Sequence, residues 1–179
     1  APPGGRFDPR ALPAPGPGAH SRPDSMDITL RLQADLGSAL DLASHLDSYI
    51  LDVMRDLRDE PPPAGAGTSL LERSFASEAG VVLTAHLPDD FDRVGFCVTG
   101  PLVDPLAGDS LPMVLALWVD PAWRCRGLAR ALVGRAREEL ASRGFPDLAA
   151  RAAHNDDALI SMGERWGFVR SYEVMVREQ

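Results

Sequence analysis

The residues best suited to chemistry lie in one short stretch, Val119-Asp-Pro-Ala-Trp-Arg-Cys-Arg-Gly-Leu-Ala-Arg130. An apolar run ends at Val119, Asp120-Pro121 breaks it, and a helical pattern opens after Gly127. The first N–H groups of a helix have no intrahelical acceptor, and the helix dipole favours negative charge beside them. Gly127 lets the backbone approach phosphate oxygens, and the small Ala129 keeps the helix start close to the strand. Arg124, Arg126 and Arg130 surround that point with guanidinium groups that pair with phosphates. The sequence contains neither G-x-x-x-x-G-K-[ST] nor a G-x-G-x-x-G after an early strand, so the commoner phosphate loops are excluded. What remains is Arg124-x-x-Gly127-x-Ala129, a strand–loop–helix site for an anion.

Other reactive side chains carry weaker patterns. Cys125 stands at the helix start, where a thiolate is stabilised, but no His at triad spacing supports covalent catalysis. Cys97 and Cys125 make neither a disulfide framework nor a metal-ligand spacing, so no metal is expected. Asp120 before Pro121 reads as a turn residue, and Trp118 and Trp123 read as packing residues. His154 reads as structural or solvent-facing, while His86 and Glu72 are acceptor-side candidates that no pattern selects.

These residues need elements to position them. Ile28-Thr-Leu-Arg-Leu32 alternates as a short strand. Residues 36–58 follow a helical period with Leu36, Leu40, Ala43, Leu46 or Asp47, Ile50, Val53 and Leu57 on one side, until Pro61-Pro62-Pro63 stops it. Ser69-x-x-Glu72 has the form of a capping box for a second helix ended by Gly80. Residues 81–87 and 93–99 are strand-like around a hairpin loop, and a loop is expected around 101–112. Residues 113–119 are apolar on both faces, with Met113, Leu115, Leu117 and Val119 on one and Val114, Ala116 and Trp118 on the other. Residues 128–143 form the best helix, with Ala129, Leu132, Val133, Ala136 and Leu140 inward and Gly144 and Pro146 as stops. A strand over 148–153, a short helix over 155–166 with Leu159, Met162 and Trp166 inward, and a last strand through Tyr172, Val174 and Val176 complete the order. The expectation is an α/β (mixed α+β) fold, an α/β/α sandwich on a central mixed, mostly antiparallel sheet. It spans one domain over 27–179 after a Pro/Gly-rich tail over 1–25.

Composition narrows the function classes. Net charge is −8 over 179 residues, and all 18 basic residues are Arg. The acid excess sits in residues 27–119, with fifteen acids against five Arg, while 120–179 is nearly balanced. An acidic chain is a poor nucleic-acid binder, because phosphate contacts dominate that affinity. The asymmetry suits an anionic ligand on the C-terminal side and a cationic one facing the N-terminal part. No apolar run reaches the roughly 18 residues of a membrane span, and no secretory pattern is present, so a reduced cytoplasmic setting is expected.

In its Arg124-x-x-Gly127-x-Ala129 segment and in Asn155 followed by Gly167-Phe168, the sequence resembles the GCN5-related N-acetyltransferases (GNAT). The match is tight over 113–168, and the element order over 27–112 is compatible with it. The resemblance implies acetyl-CoA as co-substrate, transferred in a ternary complex to a primary amine of a small molecule or protein. It implies that the backbone at Leu117, Trp118 and Val119 borders the pantetheine arm. Cys125, Arg126, Gly127, Leu128, Ala129 and Arg130 would cradle the pyrophosphate with Arg124, and Asn155 would contact the cofactor arm. A strand amide would polarise the thioester carbonyl. Two positions depart from the family: Cys125 stands where many members have Gly, and Met162 and Gly163 stand where many carry a proton-donating Tyr. Tyr172 is the candidate substitute, being with Tyr49 one of only two tyrosines. The alternative is a non-catalytic acyl-CoA-binding or sensing module of the same fold, and a homodimer is left open.

Overall fold

The computed structural model describes residues 28–57, 61–88, 92–103, 110–152 and 156–170. The expected 1–25 tail, Asn155 and the strand through Tyr172 lie outside the described residues. Four strands pair antiparallel in the order β1-β2-β3-β4: β1 (Thr29–Leu32), β2 (Val82–His86), β3 (Arg93–Val103) and β4 (Ser110–Val119). One apolar layer packs β2, β3 and β4 against α4 (Leu128–Ser142), through Leu83, Cys97, Val119, Leu132, Ala136 and Leu140. Trp166 and Phe168, just past α5 (Asp157–Arg165), close its margin. The opposite face packs α1 (Leu36–Ala39), α2 (Ala43–Leu57) and α3 (Ala66–Phe75) on Val82, Phe96, Val98 and Ala116. The expected α/β/α sandwich is therefore present.

The N-terminal helix is not continuous. Residues Leu40–Leu42 form a 3-10 turn between α1 and α2. Three residues per turn rotate the following face relative to an unbroken α-helix. Ala39, Leu42 and Leu46 therefore take the core, while Leu40 and Val53, expected inward, are 50% and 38% exposed. The Ser69–Glu72 capping box does not form either. The helix begins three residues earlier, at Ala66, with Gly65 left-handed (φ 75°) at its cap and Ser69 already donating to the Gly65 carbonyl at 3.0 Å. Its N-terminal cap comes from another helix, where Asp47 Oδ1 accepts from Gly67 N–H at 2.7 Å.

β3 and β4 run farther than their prolines suggest. Pro101 and Pro112 face each other in the register. Thr99 N–H points to Val81 and Val114 N–H to Ala149. Thr99 and Val114 thus form a non-hydrogen-bonded pair, and so do the two prolines two residues on, where the ladder needs neither N–H. Between Val98 and Thr99 the partner in β4 skips from Ala116 to Val114, which makes Leu115 an extra residue, a β-bulge. The bulge breaks the expected alternation: Val114, Leu117 and Val119 face α4, whereas Leu115, Ala116 and Trp118 face α2 and α3. Gly100 makes room for it, since a Cβ there would lie 2.6 Å from Leu115 Cδ1.

After α4, which ends as expected at a left-handed Gly144 (φ 92°), the chain returns parallel to β4. The expected strand over 148–153 is reduced among the described residues to one bridge, Met113↔Ala149. Its two hydrogen bonds are Val114 N–H to Ala149 O (2.9 Å) and Ala149 N–H to Pro112 O (2.7 Å). In α5, Leu159 faces outward at 37% exposure, whereas Trp166 packs inward as expected.

Gly67 fixes how α2 sits. A Cβ there would lie 2.3 Å from Ala43 O and 2.9 Å from Asp47 N. Gly67→Ala should destabilise the fold by about 2 kcal/mol or more, the cost of forced overpacking, in urea titration. Asp47→Ala should cost about 1 kcal/mol through the lost cap; a Gly67→Ala variant as stable as wild type would contradict this packing.

Candidate active site

A face of α2 and the outer end of β4 enclose a cavity of about 500 Å3. From α2 come His45, Ser48, Tyr49, Asp52 and Val53, which share a face through their three- and four-residue spacing. From the sheet come Phe96, Leu117, Trp118 and Val119, and Arg124 stands at one end. Phe96 stacks on Trp118 with centroids 5.5 Å apart, and Tyr49 meets Phe96 edge-on at 5.9 Å. These contacts fix the aromatic wall.

His45 is held by a chain of charges. Arg93 pairs with Asp41 and places Nη1 3.1 Å from His45 Nδ1. A guanidinium can only donate, so Nδ1 accepts, and the neutral ring carries its proton on Nε2. His45 therefore presents its Nε2–H as a hydrogen-bond donor in this arrangement. Arg93 itself has only 7% of its side chain exposed.

The edge of β4 supplies backbone groups. Asp120 N–H donates to Val94 O in β3 at 3.0 Å. By alternation, Trp118 also faces β3, while Leu117 and Val119 face the other edge. Pairing on that edge stops at Met113 among the described residues, none of which pairs with Leu117 or Val119 beside the cavity. Tyr49, partly buried, lies against the Leu117 backbone along the cavity. Burial pushes the Tyr49 phenol above its ordinary range, and the Leu117 backbone opposes this in part.

Beyond Val119 the loop turns as its residues require. Asp120 Oδ1 accepts from Ala122 N–H at 2.8 Å and caps a 3-10 turn over Pro121–Trp123. Arg124 Nε donates to Val119 O at 3.0 Å and ties the loop back to the strand end. Cys125 and Gly127 are both left-handed, with φ of 60° and 86°. α4 then opens with no side-chain cap. Ala131 is the first of its residues to donate within the helix, to Gly127 O at 3.0 Å. No described residue accepts from the N–H groups of Cys125, Gly127, Leu128, Ala129 or Arg130. Arg126 lies over the Trp123 ring at 5.1 Å. Convergent N–H groups flanked by three arginines are a donor set that fits a pyrophosphate.

The structure thus brings together the sequence-predicted Leu117, Trp118, Val119 and Arg124 along the cavity. Trp118 contributes its ring, its backbone being turned to β3. Cys125, Arg126, Gly127, Leu128, Ala129 and Arg130 form the adjoining loop. Asn155, His154 and Tyr172 lie outside the described residues. His86 is buried beside Thr84 and Glu72 is exposed on α3, and neither lines the cavity. Sequence reasoning missed His45, Asp52 and Tyr49 as site residues. Their three- and four-residue spacing on α2 was the available signal, and the helical period was used only to place the apolar side. Among the described residues no group of three or more His, Cys, Asp or Glu could hold a metal, and no helix is long and apolar enough to cross a membrane.

The fold is shared with known acetyltransferase structures. The chain superposes on aminoglycoside N-acetyltransferase AAC(6')-Iy in complex with CoA, with a TM-score of 0.63 and 16% identity, covering 88% of this chain and 97% of that one. It also superposes on a ribosomal-protein-alanine N-acetyltransferase from Brucella melitensis biovar Abortus 2308 (TM-score 0.61, 22% identity, 85% and 97% covered). An acetyltransferase of Trypanosoma brucei gives a TM-score of 0.55 at 21% identity, with 86% and 99% covered. No curated protein matches by sequence. The sequence matches the acetyltransferase (GNAT) family over residues 51–168, and the chain belongs to that family.

The two cysteines should report on this geometry. Cys97 is fully buried, its thiol pushed up to about 12 by desolvation, whereas Cys125 is exposed. An aromatic disulfide reagent should titrate one thiol in the native protein and two after denaturation; two fast thiols in the native state would contradict the placement. Because Cys125 holds a left-handed backbone, Cys125→Gly should stabilise the fold by up to ~1 kcal/mol, measured as a raised Tm.

Proposed function

We propose that this protein is an acetyl-CoA-dependent N-acetyltransferase acting on a primary amine of a small molecule or protein. The observation that carries the proposal is the row of backbone N–H groups at 125 and 127–130, without described acceptors, beside a strand edge without described partners and a cavity. Those amides, with Arg124, Arg126 and Arg130, would hold the pyrophosphate of the co-substrate. Leu117 and Val119 on the β4 edge would border its pantetheine arm, with Asn155 beyond. Bound there, the thioester supplies an activated acetyl group at the head of the cavity.

The chain's own residues define the rest of the reaction. Phe96 and Trp118 give the cavity an aromatic side, and Asp52, an exposed carboxylate, lies along α2. An acidic group in the lining favours a protonated amine as the arriving acceptor. His45, as an Nε2–H donor, is suited to hold an acceptor oxygen. Of the structural neighbours, AAC(6')-Iy is an aminoglycoside acetyltransferase and the Brucella protein a ribosomal-protein-alanine acetyltransferase. A small polyamine-like molecule and a protein amine are both acceptors of the proposed class. A cytoplasmic setting belongs to the same proposal.

Calorimetry tests the co-substrate first, with acetyl-CoA expected to bind at submillimolar concentration and no binding contradicting the proposal. Gly127→Glu adds a side chain at a left-handed position and a negative charge where the pyrophosphate is to sit, so it should abolish binding. Gly127→Asn tolerates that backbone and should bind more weakly than wild type but measurably. Thiol release across a panel of amines then separates an enzyme from a non-catalytic acyl-CoA-binding module, for which no amine would raise the rate.

A further inference from the structure

Arg93 is a buried cation that the fold alone gives little reason to bury. It opens β3 with its side chain 7% exposed, yet its partner Asp41 is 70% exposed. No described residue accepts the Arg93 Nε–H, which is shut off from solvent. An unmet buried N–H costs free energy, and a pair with one partner in solvent returns little of it. The second contact gives the better reason. Arg93 Nη1 donates to His45 Nδ1 at 3.1 Å, and the imidazole stands beside the Trp118 ring at 6.4 Å, tilted by 42°. Arg93 itself does not line the cavity, whereas His45 does.

The polar groups of α2 sort by what they can offer a ligand. Asp47 is engaged by Gly67 N–H, as Asp41 is by Arg93. Ser48 gives its proton to Ser44 O at 3.1 Å and has lone pairs left to offer. Asp52 faces Arg55 at 3.9 Å in an exposed pair, which holds it weakly. Lone pairs and a carboxylate suit any polyamine, including one with a plain hydrocarbon chain. His45 adds an N–H to this strip only while Arg93 occupies Nδ1. Without Arg93 the ring would exchange between tautomers, and Nε2 would carry a lone pair part of the time. His45 and Asp52 are seven residues apart, about 10 Å along the helix axis. A molecule that reaches both presents an oxygen to one and an ammonium to the other.

We propose that Arg93 is a positioning residue for acceptor choice: by holding His45 as an Nε2–H donor, it selects small diamines that carry an ether or hydroxyl oxygen over their all-methylene counterparts. The inference rests on the acetyltransferase reading and deepens it by naming the acceptor class. His45 touches the acceptor, and Arg93 acts through His45.

Two diamines of equal length test it, 1,8-diaminooctane and its 3,6-dioxa analogue, in which two methylenes become ether oxygens. At about pH 8, where an ordinary histidine is neutral, wild type should prefer the dioxa diamine in kcat/KM by about fivefold or more, the effect of one hydrogen bond. Arg93→Met keeps a buried apolar stem and should bring that ratio to one or below. His45→Leu, at an exposed position, should do the same, while His45→Gln, whose amide supplies an N–H, should keep part of the preference. Acetyl-CoA affinity should stay within about threefold throughout, since neither residue belongs to the loop. The imidazole 15N spectrum gives a readout without turnover. The His45 signals, assigned by their loss in His45→Gln, should show Nε2 protonated in wild type and an average shifted toward the Nδ1–H form in Arg93→Met. Equal kcat/KM for the two diamines in wild type, an unchanged His45 tautomer in Arg93→Met, or no turnover of either diamine by a wild type that binds acetyl-CoA overturns the inference. Failure of the wild type to bind acetyl-CoA would instead overturn the acetyltransferase reading, and this inference with it.

Discussion

One extra residue in β4 decides which backbone groups the site has to work with. Leu115 has no partner in β3, and its insertion shifts the alternation of the strand by one. Before it, Val114 N–H turns to the returning chain at Ala149. After it, Ala116, Trp118 and Asp120 turn to β3, and Leu117 and Val119 are left on the far edge, where no described residue pairs with them. Gly100 makes the bulge possible by ceding its side-chain space to Leu115. The two apolar layers then lock the strand, with Ala116 buried against α3 and its neighbours and Val119 against α4. A buried strand with an unpaired edge is costly unless something fills its hydrogen bonds. Here Arg124 Nε fills the Val119 carbonyl, and the groups without described partners are what give a ligand a place to bind.

The loop after β4 follows the same logic. Left-handed backbone at Cys125 and Gly127 bends the chain so that α4 starts facing the strand end, and Arg124 closes the bend by donating to Val119 O. That interaction gives Arg124 a positioning role within the loop as well as its charge. The conformational cost at Cys125, about 1 kcal/mol or more for a residue with a Cβ, is concentrated at the point where the amides converge.

The loop was legible in the sequence because its signals are local. Apolar run, Asp-Pro break, left-handed glycine and helical stripe all occur within a few residues, and α4 folds with the buried positions its period gives: Leu132, Val133, Ala136 and Leu140. Where non-local packing chooses, the sequence pattern pointed elsewhere. Nothing in Leu115 announces a bulge, because the reason for it lies in Gly100 on another strand. Leu40 carries the period of an α-helix, but the 3-10 turn over Leu40–Leu42 rotates Leu42 into its place. Ser69 and Glu72 have the spacing of a cap, yet the cap comes from Asp47, twenty residues before the Gly67 it holds. The acceptor side was least legible. His45 owes its tautomer to Arg93, 48 residues away, and Tyr49 owes its place to the Phe96 ring on another element.

The central claim is that CoA is held by the backbone of the β4 edge and the start of α4. Amide chemical shifts in a 15N-labelled sample titrated with CoA test it most directly. The account predicts that the largest and saturable changes fall on Gly127, Leu128, Ala129 and Arg130, with Val119 following. Saturable binding that leaves those amides unmoved, or that shifts a different face of the molecule, would contradict it.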